Sequence, residues 1–120
     1  MLKTKRTGLY EGMYILSATL SEDARKKAFE KITDGIIEKE GKILKTHEMG
    51  RKKLLYKIKR KGEGYCGEGY YYVLFFEAPT SAIIELSASF KHHEDLIRSM
   101  TMRVEKVQET LEFKPLKEMV

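Results

Sequence analysis

The order in which strand-like and helix-like periodicities follow one another constrains the fold of this chain more than any other sequence feature. Strands place successive side chains on alternate faces, whereas helices bring apolar residues together every three to four positions. Reading these periods along the sequence predicts strands over 9–17, 42–60, 70–78 and 97–107, with helices over 21–40 and from Pro79 to about Phe90. The predicted order is therefore βαββαβ.

Few folds accommodate that order. Because crossover connections are right-handed, the natural assembly is an α+β ferredoxin-like sandwich, a four-stranded antiparallel sheet with two helices on one face. In the third strand, Tyr72, Leu74 and Phe76 are then expected to point into the core. The opposite phase of the strand carries Tyr71, Val73 and Phe75, which we expect to lie bare on the open face of the sheet. An apolar row of this kind commonly marks a partner-binding site.

Local signals set the predicted boundaries. Ser21 is a candidate helix N-cap, and Gly41 a candidate C-terminal stop. The second strand is expected to break near Met49 and Gly50, and the glycine-rich residues 62–69 to form a flexible hairpin connection. A length of 120 residues suits one domain. We divide the chain into a basic N-terminal arm over 1–8, a ferredoxin-like domain over 9–107 and a C-terminal tail over 108–120 that extends along a partner or stays mobile.

A cationic strand dominates the charge distribution. Residues 51–61 read RKKLLYKIKRK, with seven basic residues and no acidic one, in a chain of net charge +5. Strand alternation sends Leu54, Tyr56 and Ile58 to one side and spaces the cations of the other side by about 6–7 Å, close to the phosphate spacing of a nucleic-acid strand. Lysine on an edge strand can also serve only to block sheet pairing. We predict that the cations of this strand bind RNA and that no carboxylate compensates their charge. The predicted RNA-binding residues are Arg51, Lys52, Lys53, Lys57, Lys59 and Lys61.

Other kinds of site find little support. The GEGYCG run precedes a strand of tyrosines, whereas a dinucleotide fingerprint must precede a helix. Adjacent His92 and His93 cannot easily share one metal, and Cys66 with His47 lacks an orienting third group. A single cysteine permits no internal disulfide, and no apolar segment is long enough to span a membrane. We therefore predict no catalytic residue, metal site, cofactor or small-molecule substrate.

Two alternatives of other classes stay open at this point. Residues 69–75, GYYYVLF, approach the aromatic pattern of an RNA recognition motif, which would make the protein an RNA-binding regulator. The same fold also hosts small acylphosphatase-like hydrolases. Such an enzyme needs an anion cradle with an arginine, and the SATLS segment after the first strand contains none.

Four segments together resemble the bacterial small-subunit ribosomal protein S6 family: YEGMYIL (10–16), GRKKLLYKI (50–58), YYYVLFFEAP (70–79) and DLIRSMTMRVEKV (95–107). The resemblance implies a non-enzymatic constituent of the small ribosomal subunit, located on the cytoplasmic ribosome. It further implies binding to the central domain of 16S ribosomal RNA together with ribosomal protein S18. Arg51, Lys52 and Lys53 would then fall in the RNA-facing part of the second strand, and the tail would run toward S18.

Overall fold

A computed structural model of the protein describes residues 6–60 and 64–109, with the side chains of 55–60 and 64–66 outside the description. Its elements are β1 (Thr7–Ser17), α1 (Glu22–Glu38), β2 (Lys42–Arg60), β3 (Gly64–Pro79), a 3-10 turn (Thr80–Ala82), α2 (Ile83–Phe90) and β4 (Leu96–Arg103). The four strands form one antiparallel sheet in the order β2-β3-β1-β4. The predicted βαββαβ sandwich is confirmed.

The main core lies between the sheet and the two helices. It is formed by apolar side chains from every layer: Tyr10, Tyr14, Tyr72, Leu74 and Phe76 from the sheet, Ala28, Ile32 and Ile36 from α1, and Leu86 and Phe90 from α2. Ring contacts join the layers, since Phe29 stacks on Tyr72 at 4.5 Å between centroids and Tyr14 meets Phe90 edge-on at 5.4 Å. The predicted inward phase of β3 is therefore confirmed.

The ends of α1 are fixed by two different devices. At its start, the Ser21 hydroxyl accepts a hydrogen bond from the Ala24 amide at 3.2 Å, as predicted for an N-cap. At its end, the amides of Glu40 and Gly41 donate to the carbonyls of Ile37 and Ile36, which is a Schellman motif. The left-handed residue is Glu40, with φ of 66°, and not Gly41, so the expected stop is displaced by one residue.

Strand β2 is long and irregular. Its register against β3 shifts between Ile43 and Lys45, between Glu48 and Gly50, and again between Lys53 and Ile58. Gly50 has a φ of 82° at the second shift, so the predicted break near Met49 is confirmed as a bulge inside a continuous strand. The loop predicted for 62–69 is wrong from Gly64 onward, because those residues pair with β2 as the start of β3.

Strands β2 and β3 outrun the rest of the sheet. The pairing of β1 with β3 ends at Ser17 and Gly69, whereas β2 remains paired with β3 as far as Arg60 and Gly64. Residues 53–60 and 64–68 therefore form a two-stranded ribbon beyond the sheet, which we call the projecting hairpin. Within the ranges that the structure covers, no helix is long and apolar enough to cross a membrane.

The chain turns back over the sheet after β4. The sequence predicts that the last strand reaches residue 107, but β4 ends at Arg103. The Val104 amide still donates a hydrogen bond to the Leu9 carbonyl at 2.9 Å, and beyond it the chain leaves the edge of the sheet. The Gln108 carbonyl then lies 2.8 Å from Nε2 of His47, and Glu109 pairs with Lys45 at 3.2 Å. Both partners, His47 and Lys45, belong to β2 at the opposite edge of the sheet from β4, so residues 104–109 form a C-terminal strap across the open face. The predicted C-terminal tail over 108–120 has only these first two residues within the described part of the chain, so its course along a partner stays a prediction.

Candidate nucleic-acid interface

The cationic strand is the edge strand β2, so its basic side chains lie at the margin of the sheet. Arg51 and Lys53 are exposed and stand opposite Tyr70 and Glu68, on the face that carries the helices. Leu54 lies on the other face, where it packs against an apolar cluster with Tyr71. The predicted alternation is confirmed for these residues, and by alternation Lys52 shares the face of Leu54.

The remaining predicted RNA-binding residues cannot be placed to the same detail. Lys57 and Lys59 belong to the projecting hairpin by their backbone, but their side chains, like those of Tyr56 and Ile58, lie outside the description. Lys61 lies outside the described residues altogether. The structure therefore brings Arg51, Lys52 and Lys53 together at the base of the projecting hairpin, and their role in RNA binding stays a prediction.

Arg51 has a carboxylate partner, contrary to the expectation that the cations are uncompensated. Its Nη2 lies 2.6 Å and its Nε 2.7 Å from one oxygen of Glu68, which stands on the neighbouring strand. This hydrogen bond and the charge of Glu68 raise the pKa of the Arg51 guanidinium above its ordinary value. The sequence conceals the pair because Glu68 is brought beside Arg51 only by the register of β2 on β3.

A second arginine that sequence reasoning missed lies nearby. Arg25, in the first turns of α1, holds its guanidinium carbon 4.1 Å from the centroid of the Tyr70 ring. One turn further along the same helix stripe, Phe29 stacks on Tyr72. The available signal was this spacing of four residues, which places Arg25 and Phe29 side by side over alternate residues of β3.

The three predicted partner-binding residues lie on the face opposite the helices, as expected, but they are not bare. Tyr71, Val73 and Phe75 are 2%, 1% and 0% exposed. Tyr71 belongs to a cluster with Ile15 and Ile97, against which three half-buried residues pack: Met13, Met49 and Leu54. The ring of Phe75 meets His47 edge-on. A second, thinner core therefore covers this face within the monomer.

The C-terminal strap closes a groove at one end of that face. Glu11, Phe75 and Arg103 line it together with strap residues Val104, Glu105, Lys106 and Gln108. Burial raises the pKa of the Glu11 carboxyl, and the charge of His47 lowers it by less. The groove thus holds a carboxylate in an environment that disfavours its charge.

The other chemistries considered from sequence gain no support here. Within residues 6–60 and 64–109 no three His, Cys, Asp or Glu side chains cluster as metal ligands would. His93 lies 3.3 Å from the Ala28 carbonyl and accepts from the Asp95 amide, which is a structural role. Tyr72, which an RNA recognition motif would expose for stacking, is buried under Phe29.

Known proteins resemble this chain over nearly its whole length. The family model described as ribosomal protein S6 matches residues 9–103. The small ribosomal subunit protein bS6 of Chlamydia felis is 48% identical over 98% of this chain and 100% of its own length. That of Protochlamydia amoebophila is 49% identical, with 98% of each chain covered. The crystal structure of 30S ribosomal protein S6 from Thermotoga maritima superposes with a TM-score of 0.73 at 30% identity, covering 82% of this chain and 89% of that one.

Proposed function

The chain belongs to the ribosomal protein S6 family, and from that premise we propose that it binds the central domain of 16S ribosomal RNA through its cationic edge strand and pairs with ribosomal protein S18 across its open face. Family membership itself makes the protein a structural constituent of the small subunit of the cytoplasmic ribosome and not an enzyme. The predicted family and location are thereby confirmed, and the acylphosphatase-like alternative falls.

The observation that carries the RNA-binding proposal is the projecting hairpin. Its β2 strand brings Arg51 and Lys53 to one face and Lys52 to the other, at an edge that no other strand covers in the described sheet. A two-stranded ribbon that extends beyond the rest of the sheet can approach an RNA backbone from either side. Phosphate contacts of this kind supply affinity and register without reading bases.

The salt dependence of RNA binding tests the proposal. Changing Arg51, Lys53, Lys57 and Lys59 together to Ala should reduce the log–log salt slope by about three, at roughly 0.7 to 0.9 per phosphate contact. A matched control changes four exposed cations of the helix layer, Lys26, Lys27, Lys31 and Lys91, to Ala and removes the same net charge. If both variants fold and alter the slope equally, the effect is one of net charge and the proposed interface is wrong.

Support for S18 pairing comes from the apolar cluster on the open face. Met13, Met49 and Leu54 remain partly exposed around the buried Tyr71, and Met102 on β4 is 43% exposed. A partner would therefore touch this outer ring, with Tyr71 beneath it. Apolar surface that is incompletely covered in a monomer is typical of such interfaces.

A charge placed in the outer ring tests the pairing. Leu54→Asp should weaken S18 binding by at least tenfold in calorimetry, because the carboxylate would lose its hydration in the interface. Ile84→Asp is the control, since Ile84 is 82% exposed on α2, in the other layer. Normal pairing by a folded Leu54→Asp variant would contradict the proposal.

A further inference from the structure

Two guanidinium groups converge on one tyrosine at the base of the projecting hairpin. Arg25 reaches Tyr70 from α1 and lies 4.1 Å over the face of its ring. Arg51 reaches it from β2, directly opposite in the strand register, and Tyr70 contributes, after Glu68, to raising the pKa of the Arg51 guanidinium. The two arginines are distant in sequence, so only the packing of α1 on the sheet brings them to the same side chain.

The charges around Tyr70 favour an anion. Beside Arg25, the charged residues that β2 and β3 place on this face around Tyr70 are the basic Arg51 and Lys53 and the acidic Glu68, paired with Arg51, and Glu48, which stands opposite Tyr72. Among these residues cations outnumber carboxylates, and cation–π contact with Tyr70 holds the Arg25 guanidinium beside the ring. Tyr70 is half-buried, and its phenol hydroxyl adds a neutral hydrogen-bond donor to the same face.

Glu68 occupies the position that a phosphate would take. It engages Nε and Nη2 of Arg51, the edge of a guanidinium that forms paired hydrogen bonds to phosphate as well as to carboxylate. The Glu68 side chain is 38% exposed, so it can turn into solvent when another anion arrives. The ion pair in the unbound protein thus keeps Arg51 beside Tyr70 in the geometry that a phosphate requires.

From this geometry we infer that Arg25, Tyr70 and Arg51 form a binding site for one backbone phosphate of RNA, at which the phosphate replaces Glu68. The inference rests on the proposed RNA-binding function and extends it from the edge strand, across β3, onto α1. Arg25 is then an RNA contact that lies outside the cationic strand. Glu68 competes with the phosphate for Arg51 and so sets how tightly the site binds the phosphate.

The test measures binding of the 16S central-domain fragment at several salt concentrations, with S18 present. Arg25→Gln should lower affinity about five- to tenfold and reduce the salt slope by roughly 0.7 to 0.9. Lys27→Gln is the matched control, because Lys27 is exposed on the same helix, and it should leave both values unchanged. Arg25→Lys should restore the slope, which a purely structural role for Arg25 would not produce. Glu68→Gln should raise affinity, because it removes the competing charge.

Failure of this inference is separable from failure of the proposed function. If Arg25→Gln and Lys27→Gln behave alike while the quadruple variant of the cationic strand still loses slope, the phosphate site is wrong and the edge-strand interface stands. If Glu68→Gln lowers affinity, Glu68 positions Arg51 for RNA and does not compete with it, which overturns the exchange. If the quadruple variant keeps its full slope, the proposed function itself fails.

Discussion

At the scale of single residues, Glu11 makes the stability of the protein depend on pH. Its folded-state pKa is raised above the ordinary 4.5 by burial in the groove beneath the strap, with Arg103, Lys106, Glu105 and His47 as the charged neighbours. A raised pKa favours folding only while the group is protonated, so its contribution is lost as pH rises through the folded value. Glu11→Gln should therefore raise the urea midpoint at pH 7 and lose that advantage below about pH 4.5. Glu30→Gln, exposed on α1, is the control, and equal pH profiles for the two variants would contradict the argument.

At the scale of elements, the end of α1 shows two different reasons why a turn favours glycine: a left-handed backbone at Glu40 and a lack of space for a side chain at Gly41. Glu40 adopts a left-handed conformation, which costs a residue with a side chain about 1–2 kcal/mol. Glycine avoids this cost but makes the unfolded chain more flexible, so Glu40→Gly should stabilise the fold by a net amount of about 0.5–1 kcal/mol. Gly41 is needed for space, since a Cβ there would lie 2.5 Å from Cγ2 and 2.6 Å from the carbonyl oxygen of Ile36. Gly41→Ala should destabilise by about 1–3 kcal/mol. Chemical denaturation of both variants checks the pair, and a destabilised Glu40→Gly would show that the Schellman assignment is wrong.

At the scale of the whole molecule, the C-terminal strap ties the last residues of the described chain to the far edge of the sheet. Ending the chain after Arg103 removes half-buried Val104 and Val107 and the contacts to His47 and Lys45, so the free energy of unfolding should fall by about 2 kcal/mol. The chain that ends after Glu109 retains all of these contacts and is the reference for this comparison. Thermal melts of the two truncated chains distinguish the strap from the residues beyond it. Equal stability would mean that the strap contributes no packing energy.

Much of the fold follows from sequence because period and burial agree along each element. The alternation of Tyr72, Leu74 and Phe76 in β3 is such a case, as is the cap at Ser21. What sequence could not supply depends on register. The shifts within β2 decide that Glu68 meets Arg51, and no local pattern encodes them.

The partner-facing row illustrates a second limit of sequence reasoning. The alternation placed Tyr71, Val73 and Phe75 on the correct face, yet their burial depends on side chains from strands distant in sequence and, for Phe75, on contacts with His47 and the strap groove. Arg25 escaped notice for the same reason, because its partner Tyr70 is supplied by another element. The assignment of sites therefore needed tertiary structure where the assignment of elements did not.

The strand order carries a consequence for how the chain is made. Strand β1 is translated first, yet both of its neighbours come late, since Thr7 pairs with Pro79 and Tyr10 with Arg103. At roughly 5–20 residues per second, several seconds separate the emergence of β1 from that of its first partner strand. During that interval the apolar segment YEGMYILS has two open edges and no sheet to join. A component of the translation machinery therefore has, while it is itself being translated, an unpaired strand that can meet the same strand of another copy made on the same messenger.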